Sequence, residues 1–194
     1  TKLAIMHCDA PGADDKAATM AKYLMIAFES ALSVLSEAAI GSEPIYSGIN
    51  QTVQKTRLYW GGRPSANILV ASKSFGQISL INAGMPSLYL YTTSSKNTIS
   101  IDNPKMAPLG NAKDGDPIYA HNVEIETGDA LMSVSDGFVE TFERSSGSLL
   151  KQFSAFARAL KGDPESIGTK LIRMLQDSGK QEFSDDLSFM ILSR

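Results

Sequence analysis

Cysteine, long apolar runs and clustered basic residues are scarce in this sequence of 194 residues. Its single cysteine, Cys8, excludes an internal disulfide and favours a reducing, cytoplasmic location. No apolar stretch approaches the ~20 residues that a membrane-spanning helix requires, so we expect no membrane contact from this domain. A net charge of −3 without a basic block argues against nucleic acid as the main partner.

A Gly-rich nucleotide-binding loop is also missing, because the pair Gly61-Gly62 lacks the remaining residues of either phosphate-binding pattern. The composition itself is that of an ordinary globular protein, with 43% apolar and 20% charged residues. Its length suits one domain with a sizeable core. Since the chain opens on Thr1 and enters a strand pattern almost at once, we interpret residues 1–194 as one domain from the C-terminal part of a longer protein.

Hydrophobic periodicity predicts helices near both ends of the chain and strands between them. Two helices are predicted over residues 15–39 and 44–59. The other predicted elements are strands 3–8, 66–72, 77–83, 87–92, 118–125 and 130–134, helices 149–160 and 165–175, and a last strand 187–192. Strands 66–72, 77–83 and 87–92 read as an antiparallel meander. This order favours an α+β fold with antiparallel sheets over a doubly wound parallel sheet.

Acidic residues stand at the edges of three predicted strands. Asp9 follows strand 3–8, Asp136 comes just after strand 130–134, and Asp185 comes just before strand 187–192. A fold that gathers these edges would build an oxygen-rich cluster, which hard cations such as Mg²⁺ and Mn²⁺ prefer. Taken alone, the pair Asp136-Gly137 is better explained as a hairpin turn, so a plain α+β domain with acidic turns is the alternative.

Five short motifs, in order along the chain, resemble those of the metal-dependent serine/threonine protein phosphatases (the PPM family). They are Asp9-Ala10-Pro11-Gly12 with Ala17-Ala18, Ile81 to Pro86, Pro108-Leu109-Gly110, Gly128-Asp129 through Ser135-Asp136-Gly137-Phe138-Val139-Glu140, and Asp185-Asp186-Leu187-Ser188. The match is to the bacterial branch typified by the stage II E sporulation phosphatase and the stress-response sigma-factor regulators. The resemblance extends from Ile5 to the C-terminus.

This resemblance implies an α+β fold of two antiparallel β-sheets sandwiched between helices in α-β-β-α layers, with two Mn²⁺ or Mg²⁺ ions at one end. Asp9 would bridge both ions, the Ala10 carbonyl would be a further ligand, and Asp136 and Asp185 would hold one ion. The implied activity is hydrolysis of phosphoserine or phosphothreonine on a phosphorylated protein such as an anti-sigma-factor antagonist. In such sites the ions lower the pKa of a shared water and neutralise charge on the phosphoryl oxygens.

The sequence departs from the family pattern in two places. The family's Gly-His-Gly is Gly12-Ala13-Asp14 here, so the histidine is missing. The N-terminal strands of the family, with their Gly-Gly-Asp element, have no counterpart before Asp9. Asp14 and Asp15 are near enough to supply another acid, but we favour a role at a helix start for both. These departures leave open an alternative, a catalytically weakened phosphatase-like module that acts by protein binding.

Two further residues lie close to the expected ligands in the sequence. His7 is two residues before Asp9 and therefore on the same face of a strand, but we interpret it as a packed histidine rather than a ligand. Asp186 is interpreted as an acid that supports its neighbour Asp185 rather than as a ligand itself.

Overall fold

The computed structural model describes residues 2–12, 15–56, 62–101, 106–113, 115–177 and 186–194. The chain divides into two compact units, one of Thr1–Met85 with Asn103–Val123 and one of Pro86–Asp102 with Glu124–Arg194. Across the described ranges there are two four-stranded sheets, whose recorded strand pairs are antiparallel. The predicted α+β fold with two antiparallel sheets is therefore confirmed. None of the helices in these ranges is long and apolar enough to cross a membrane.

The first unit contains a sheet with strand order β1-β2-β3-β6 and two helices that pack on each other. Its elements are β1 (Lys2–Asp9), α1 (Asp15–Ser33), a 3₁₀ turn (Glu37–Ala39), α2 (Ser42–Thr56), β2 (Ser65–Ser72), β3 (Gln77–Ala83) and β6 (His121–Glu124). Helix α1 buries Met20, Leu24 and Ala27, which recur every three or four residues and so share one face. That face joins a core with α2 and the inner side of the sheet.

The second unit contains a sheet with strand order β5-β4-β7-β8 and three helices. Its elements are β4 (Leu88–Thr92), β5 (Asn97–Ile101), β7 (Ala130–Val134), α3 (Asp136–Ser146), α4 (Leu149–Ala159), α5 (Pro164–Asp177) and β8 (Phe189–Ser193). Every residue of β7 is buried, which agrees with its unbroken apolar run and its place between β4 and β8. The core consists of β7 and the apolar faces of the three helices.

The structure corrects the predicted meander of strands 66–72, 77–83 and 87–92. Strands β2 and β3 pair as expected, but β4 pairs with β5 and β7 in the other sheet. The chain leaves the first sheet at Gly84, whose φ of 84° is a left-handed conformation that breaks the strand. The segment with Gly84 and Pro86 therefore ends strand β3 and does not form a tight hairpin between β3 and β4.

Two helical predictions also differ from the structure. Helix α1 ends at Ser33 instead of residue 39. At this end of the helix, the Ser33 hydroxyl donates a 2.8 Å hydrogen bond to the Ser30 carbonyl. Such local bonds compete with the regular helix ladder. Helix α2 starts two residues earlier than predicted and is described to Thr56; the rest of the predicted helix 44–59 lies outside the described residues.

Gly84 is also in close contact with another part of the first unit. A Cβ atom at this position would lie 2.9 Å from Pro108 Cγ, closer than side chains normally approach. Gly115 has a similar φ of 89°, but a Cβ atom there would meet nothing within 4 Å. The two glycines therefore share a left-handed backbone conformation, and they differ in the contacts that an added side chain would make.

We predict that Gly84→Ala destabilises the protein more than Gly115→Ala. Each substitution places alanine in a left-handed conformation at a cost of about 1–2 kcal/mol. At Gly84 the overlap with Pro108 adds about 1–3 kcal/mol. Urea denaturation of both variants measures the difference, and equal free energies of unfolding would contradict the close contact.

Candidate functional site

Asp9 is the last residue of β1 and lies half-buried at one end of the first sheet. It pairs with Ser65, the first residue of β2, and the next pair along β2 joins Ala66 to Ala83 at the end of β3. The residues after Asp9 pass close to the Gly62 backbone, where any side chain would overlap Pro11. The Ala10 carbonyl therefore lies in a segment packed at this same sheet end.

Two more of the family-like motifs reach this end of the first sheet. The Met106 N–H donates a 2.8 Å hydrogen bond to the Asn82 carbonyl, and the Leu109 N–H donates a 2.9 Å bond to the Pro64 carbonyl. The motif that contains Asn82 and the Pro108-Leu109-Gly110 loop are thus held next to the start of β2. Motifs that lie far apart in the sequence surround the strand end that carries Asp9.

A buried amide fixes the Pro108-Leu109-Gly110 loop. Asn50 of α2 is 5% exposed, and its Oδ1 accepts a 2.8 Å hydrogen bond from the Gly110 N–H. Its Nδ2 donates a 3.0 Å bond to the Ala112 carbonyl, which also accepts a bond from Gln54 Nε2. The loop residues therefore support the geometry of this sheet end and carry no reactive side chain.

In the second unit, Asp136 is the first residue of α3 and follows β7 after Ser135. Its side chain is exposed, and its Oδ1 accepts a 2.8 Å hydrogen bond from the Gly137 N–H. Within the described part of the chain, its second carboxylate oxygen accepts no hydrogen bond. A negative charge here is also stabilised by the partial positive charge of the helix N-terminus. Asp136 therefore presents an exposed carboxylate whose orientation is fixed by one hydrogen bond.

The Ser135 hydroxyl connects the start of α3 to the segment before β8. It accepts hydrogen bonds from the N–H groups of Phe138 at 3.3 Å and Ser188 at 3.1 Å, and it donates to the Asp186 carbonyl at 3.3 Å. The Ser135 N–H also donates a 2.9 Å bond to the Ser188 carbonyl. Since a serine hydroxyl has one donor and two acceptor positions, its capacity is fully used. These bonds place Asp136 and Asp186 at the same end of the second sheet.

Aromatic packing holds α3 in this position. Phe138 is 1% exposed, and its ring centroid lies 5.8 Å from that of Phe142 and 5.1 Å from that of Phe189 on β8. Such distances are typical of favourable aromatic pairs. The first turn of α3, which carries Asp136, is therefore fixed to both the helix core and the last strand.

Asp129, in the Gly-Asp part of the fourth motif, has a structural role. The carboxylate is 2% exposed and accepts hydrogen bonds from the Thr93 N–H at 2.7 Å, the Thr93 hydroxyl at 2.8 Å and the Glu126 N–H at 2.9 Å. It thus joins the turn before β7 to the turn after β4. Because it is buried and already hydrogen-bonded, it is not a candidate metal ligand.

The two titratable neighbours of Asp9 in β1 are half-buried. Burial lowers the pKa of His7, so the imidazole is neutral at neutral pH. Burial raises the pKa of the Cys8 thiol, and the adjacent charge of Asp9 raises it further. Cys8 is therefore an unreactive thiol at neutral pH, and the partial burial of His7 agrees with its interpretation as a packed residue.

The structure describes three of the four predicted ligands. Asp9 and Ala10 lie at the end of β1 in the first unit, Asp136 lies at the start of α3 in the second, and Asp185 lies outside the described residues. Their meeting at one point stays a prediction. In neither unit do three or more described His, Cys, Asp or Glu side chains form a metal-binding group. The donors are nevertheless all oxygen atoms, and Asp9 and Asp136 retain exposed surface, so in kind they fit a hard divalent cation.

Sequence reasoning missed the role of Ser135, which was treated as part of a turn. A serine three residues before an apolar Phe138 is a recognisable helix-cap signal. Its bonds to Ser188 and Asp186, however, span more than fifty residues of sequence and leave no local pattern.

A family model and several solved structures each match almost the whole chain. The family model described as Stage II sporulation protein E (SpoIIE) matches residues 1–194. No curated protein matches the chain in a sequence search.

Three solved structures illustrate the similarity in fold. The RsbU and RsbW domains of Rv1364c from Mycobacterium tuberculosis share 16% identity at a TM-score of 0.78, over 98% of this chain and 52% of that one. The PP2C phosphatase domain of SpoIIE from Bacillus subtilis, with a fragment of its regulatory domain, shares 16% identity at a TM-score of 0.74, over 98% and 54%. RsbX in complex with magnesium shares 17% identity at a TM-score of 0.63, over 98% and 80%.

These likenesses establish that the chain has the fold of PP2C-type phosphatases. This chain spans about half the length of the first two of those solved chains.

We predict that Ser135→Ala costs about 2–3 kcal/mol of stability, because it removes a helix cap and two bonds to the segment before β8. Ser148→Ala is the matched control, since the exposed Ser148 hydroxyl caps α4 through a single 3.4 Å bond from the Lys151 N–H. We expect that control to cost about 0.5–1 kcal/mol. Urea denaturation gives both values.

Amide hydrogen exchange supplies the local readout for the same pair of variants. Exchange at the Ser188 amide should accelerate in Ser135→Ala and stay unchanged in Ser148→Ala, because only the first variant removes its hydrogen-bond acceptor. Equal destabilisation by the two variants, with Ser188 exchange unaffected, would contradict the connecting role of Ser135.

Proposed function

The chain belongs to the Stage II sporulation protein E (SpoIIE) family, and we therefore propose that residues 1–194 form one phosphatase domain. The proposed reaction is metal-dependent hydrolysis of phosphoserine or phosphothreonine on a phosphorylated protein. A signalling protein such as an anti-sigma-factor antagonist is the proposed substrate class. The single cysteine supports the further proposal of a cytoplasmic location.

The observation that carries this proposal is the position of Asp136. The Ser135 hydroxyl, the Gly137 N–H and the buried Phe138 ring together fix one carboxylate at the end of a fully buried strand, with an exposed oxygen. An acid in a hairpin turn would need none of this support. The observed helix start excludes the hairpin-turn alternative, and the exposed carboxylate of Asp136 supports a ligand role.

We propose that Asp9, the Ala10 carbonyl, Asp136 and Asp185 hold two Mn²⁺ or Mg²⁺ ions. When bound, such ions lower the pKa of water and neutralise charge on a phosphoryl group. The presence of magnesium in the similar RsbX structure supports this choice of ion. No protein nucleophile is needed, which agrees with the raised pKa of the nearby Cys8 thiol.

The chain's own residues contribute orientation and charge to this mechanism. The Gly137 N–H holds one oxygen of Asp136 and leaves the other for a ligand. The bond from Ser135 to the Asp186 carbonyl holds the chain at the residue next to Asp185. In the first unit, the packing of Pro11 against Gly62 fixes the backbone next to Asp9. Each support acts on the position of a ligand rather than on the substrate.

A phosphatase-like binding module is the second candidate. It is favoured by Ala13 at the family's histidine position. In that case the fold would bind a phosphorylated partner without turnover.

We predict that the purified chain hydrolyses p-nitrophenyl phosphate in the presence of Mn²⁺, that a chelator abolishes this activity, and that added Mn²⁺ restores it. Asp9→Asn and Asp136→Asn should each lower kcat by about 10²-fold or more, because each removes a charged metal ligand. The measurement is the steady-state rate of p-nitrophenolate release, followed by its absorbance.

Asp177→Asn is the matched control, because Asp177 is an exposed acid at the end of α5 and undergoes the same chemical change. Its activity should equal that of the unchanged protein. Absence of turnover with Mn²⁺ and with Mg²⁺ would overturn the enzyme proposal in favour of the binding module, as would full activity in Asp136→Asn.

A further inference from the structure

A cleft of about 280 Å³ lies between β5 and α4 in the second unit. Asn97, at the start of β5, pairs with Thr92 of β4, and the neighbouring Tyr91 pairs with Ala130 at the start of β7. Asp136 follows the opposite end of β7, about 13–16 Å away for a strand of this length. The cleft is therefore at the other end of the same sheet and separate from the proposed metal ligands.

The side chains that line this cleft give it a positive charge. Lys151 and Arg158 of α4 both line it, and the lining contains no acid among the described residues. They are seven residues apart, which is two helical turns, so they lie on the same side of α4. Neither forms an ion pair within the described part of the chain. Arg158 donates a hydrogen bond to the Lys96 carbonyl, which holds its guanidinium at the rim.

A buried hydroxyl on a residue that lines the cleft has no hydrogen-bond partner among the described residues. Thr98 of β5 is 6% exposed and lines the cleft, and its Oγ1 makes no hydrogen bond with any described residue. Such unsatisfied buried groups are rare in folded proteins and point to a missing partner. Ser154 and Asn97 add a hydroxyl and an amide to the same lining. The cleft thus offers a hydroxyl and an amide beside two cations, next to the buried Thr98 hydroxyl.

We propose that the α4–β5 cleft binds a phosphate group, either free orthophosphate or the phosphate of a small monoester. A phosphate carries close to two negative charges at neutral pH, which match Lys151 and Arg158, and its oxygens accept bonds from hydroxyl and guanidinium donors. The cleft volume is several times the ~30 Å³ of one water molecule, so an ester group beyond the phosphate also fits. This proposal does not depend on the metal ligands or on phosphatase activity.

The test is an NMR titration of the whole chain with sodium phosphate in the presence of a chelator, so that no metal-bound phosphate contributes. Saturable shifts are expected at the amides of Thr98, Lys151 and Ser154, and none at Asp136. A parallel titration with phosphoserine distinguishes the sources of the phosphate. Tighter binding of phosphoserine identifies a monoester as the ligand, and tighter binding of orthophosphate identifies the free anion. Absence of saturable shifts at this cleft with both probes overturns the proposal.

Three variants assign the binding to the cleft. The double variant Lys151→Gln with Arg158→Gln should weaken phosphate binding by about tenfold or more, because it removes both charged donors. Thr98→Val keeps the side-chain shape and should weaken binding a few-fold. The control is Lys170→Gln with Arg173→Gln, which removes two exposed charges from α5, outside the cleft. Equal weakening by this control, or unchanged affinity in the first double variant, overturns the proposal.

Discussion

The Ser135 hydroxyl is the interaction on which the second unit's candidate site depends. It caps α3, and it holds the chain at Asp186 and Ser188 against the end of β7. Without this hydroxyl, the start of α3 would lose two hydrogen bonds to the segment before β8. The Ser135 side chain therefore adds to the β7–β8 pairing that brings two distant acidic sequences to one end of the sheet.

Residues of the other family-like motifs hold loops in place and take no part in the proposed reaction. Gly84 gives Pro108 the room to pack, Asn50 binds the Gly110 N–H, and Asp129 binds two donors of Thr93. Each contact holds a loop in place, and in the case of Asn50 the loop is held by helix α2. The matched residues Gly84, Gly110 and Asp129 therefore stabilise loop positions.

Much of the fold could be predicted because several elements carry complete local signals. Strands 77–83 and 130–134 were predicted with the observed bounds, since each is an apolar run bordered by glycine, aspartate or other turn residues.

Helix α3 and strand β5 were missed. The Asp136-Gly137 pair is locally typical of a turn, and a helix forms there because of the distant contacts of Ser135 and Phe138. Strand β5 has five residues of mixed polarity and is defined by its pairing with β4. Asp9 lies at the end of β1 as predicted, and Asp136 follows the end of β7. Local patterns place each acid only within its own unit.

The most direct test of a shared metal site is paramagnetic broadening of the protein's NMR signals by Mn²⁺. Substoichiometric Mn²⁺ broadens the signals of amides close to a bound ion far more strongly than those of distant amides. If Asp9, Ala10 and Asp136 hold the same ions, the amides of Ala10 and Gly137 should disappear together and before those near exposed acids such as Asp177. Broadening at only one of the two positions, or at scattered surface acids, would contradict a shared metal site.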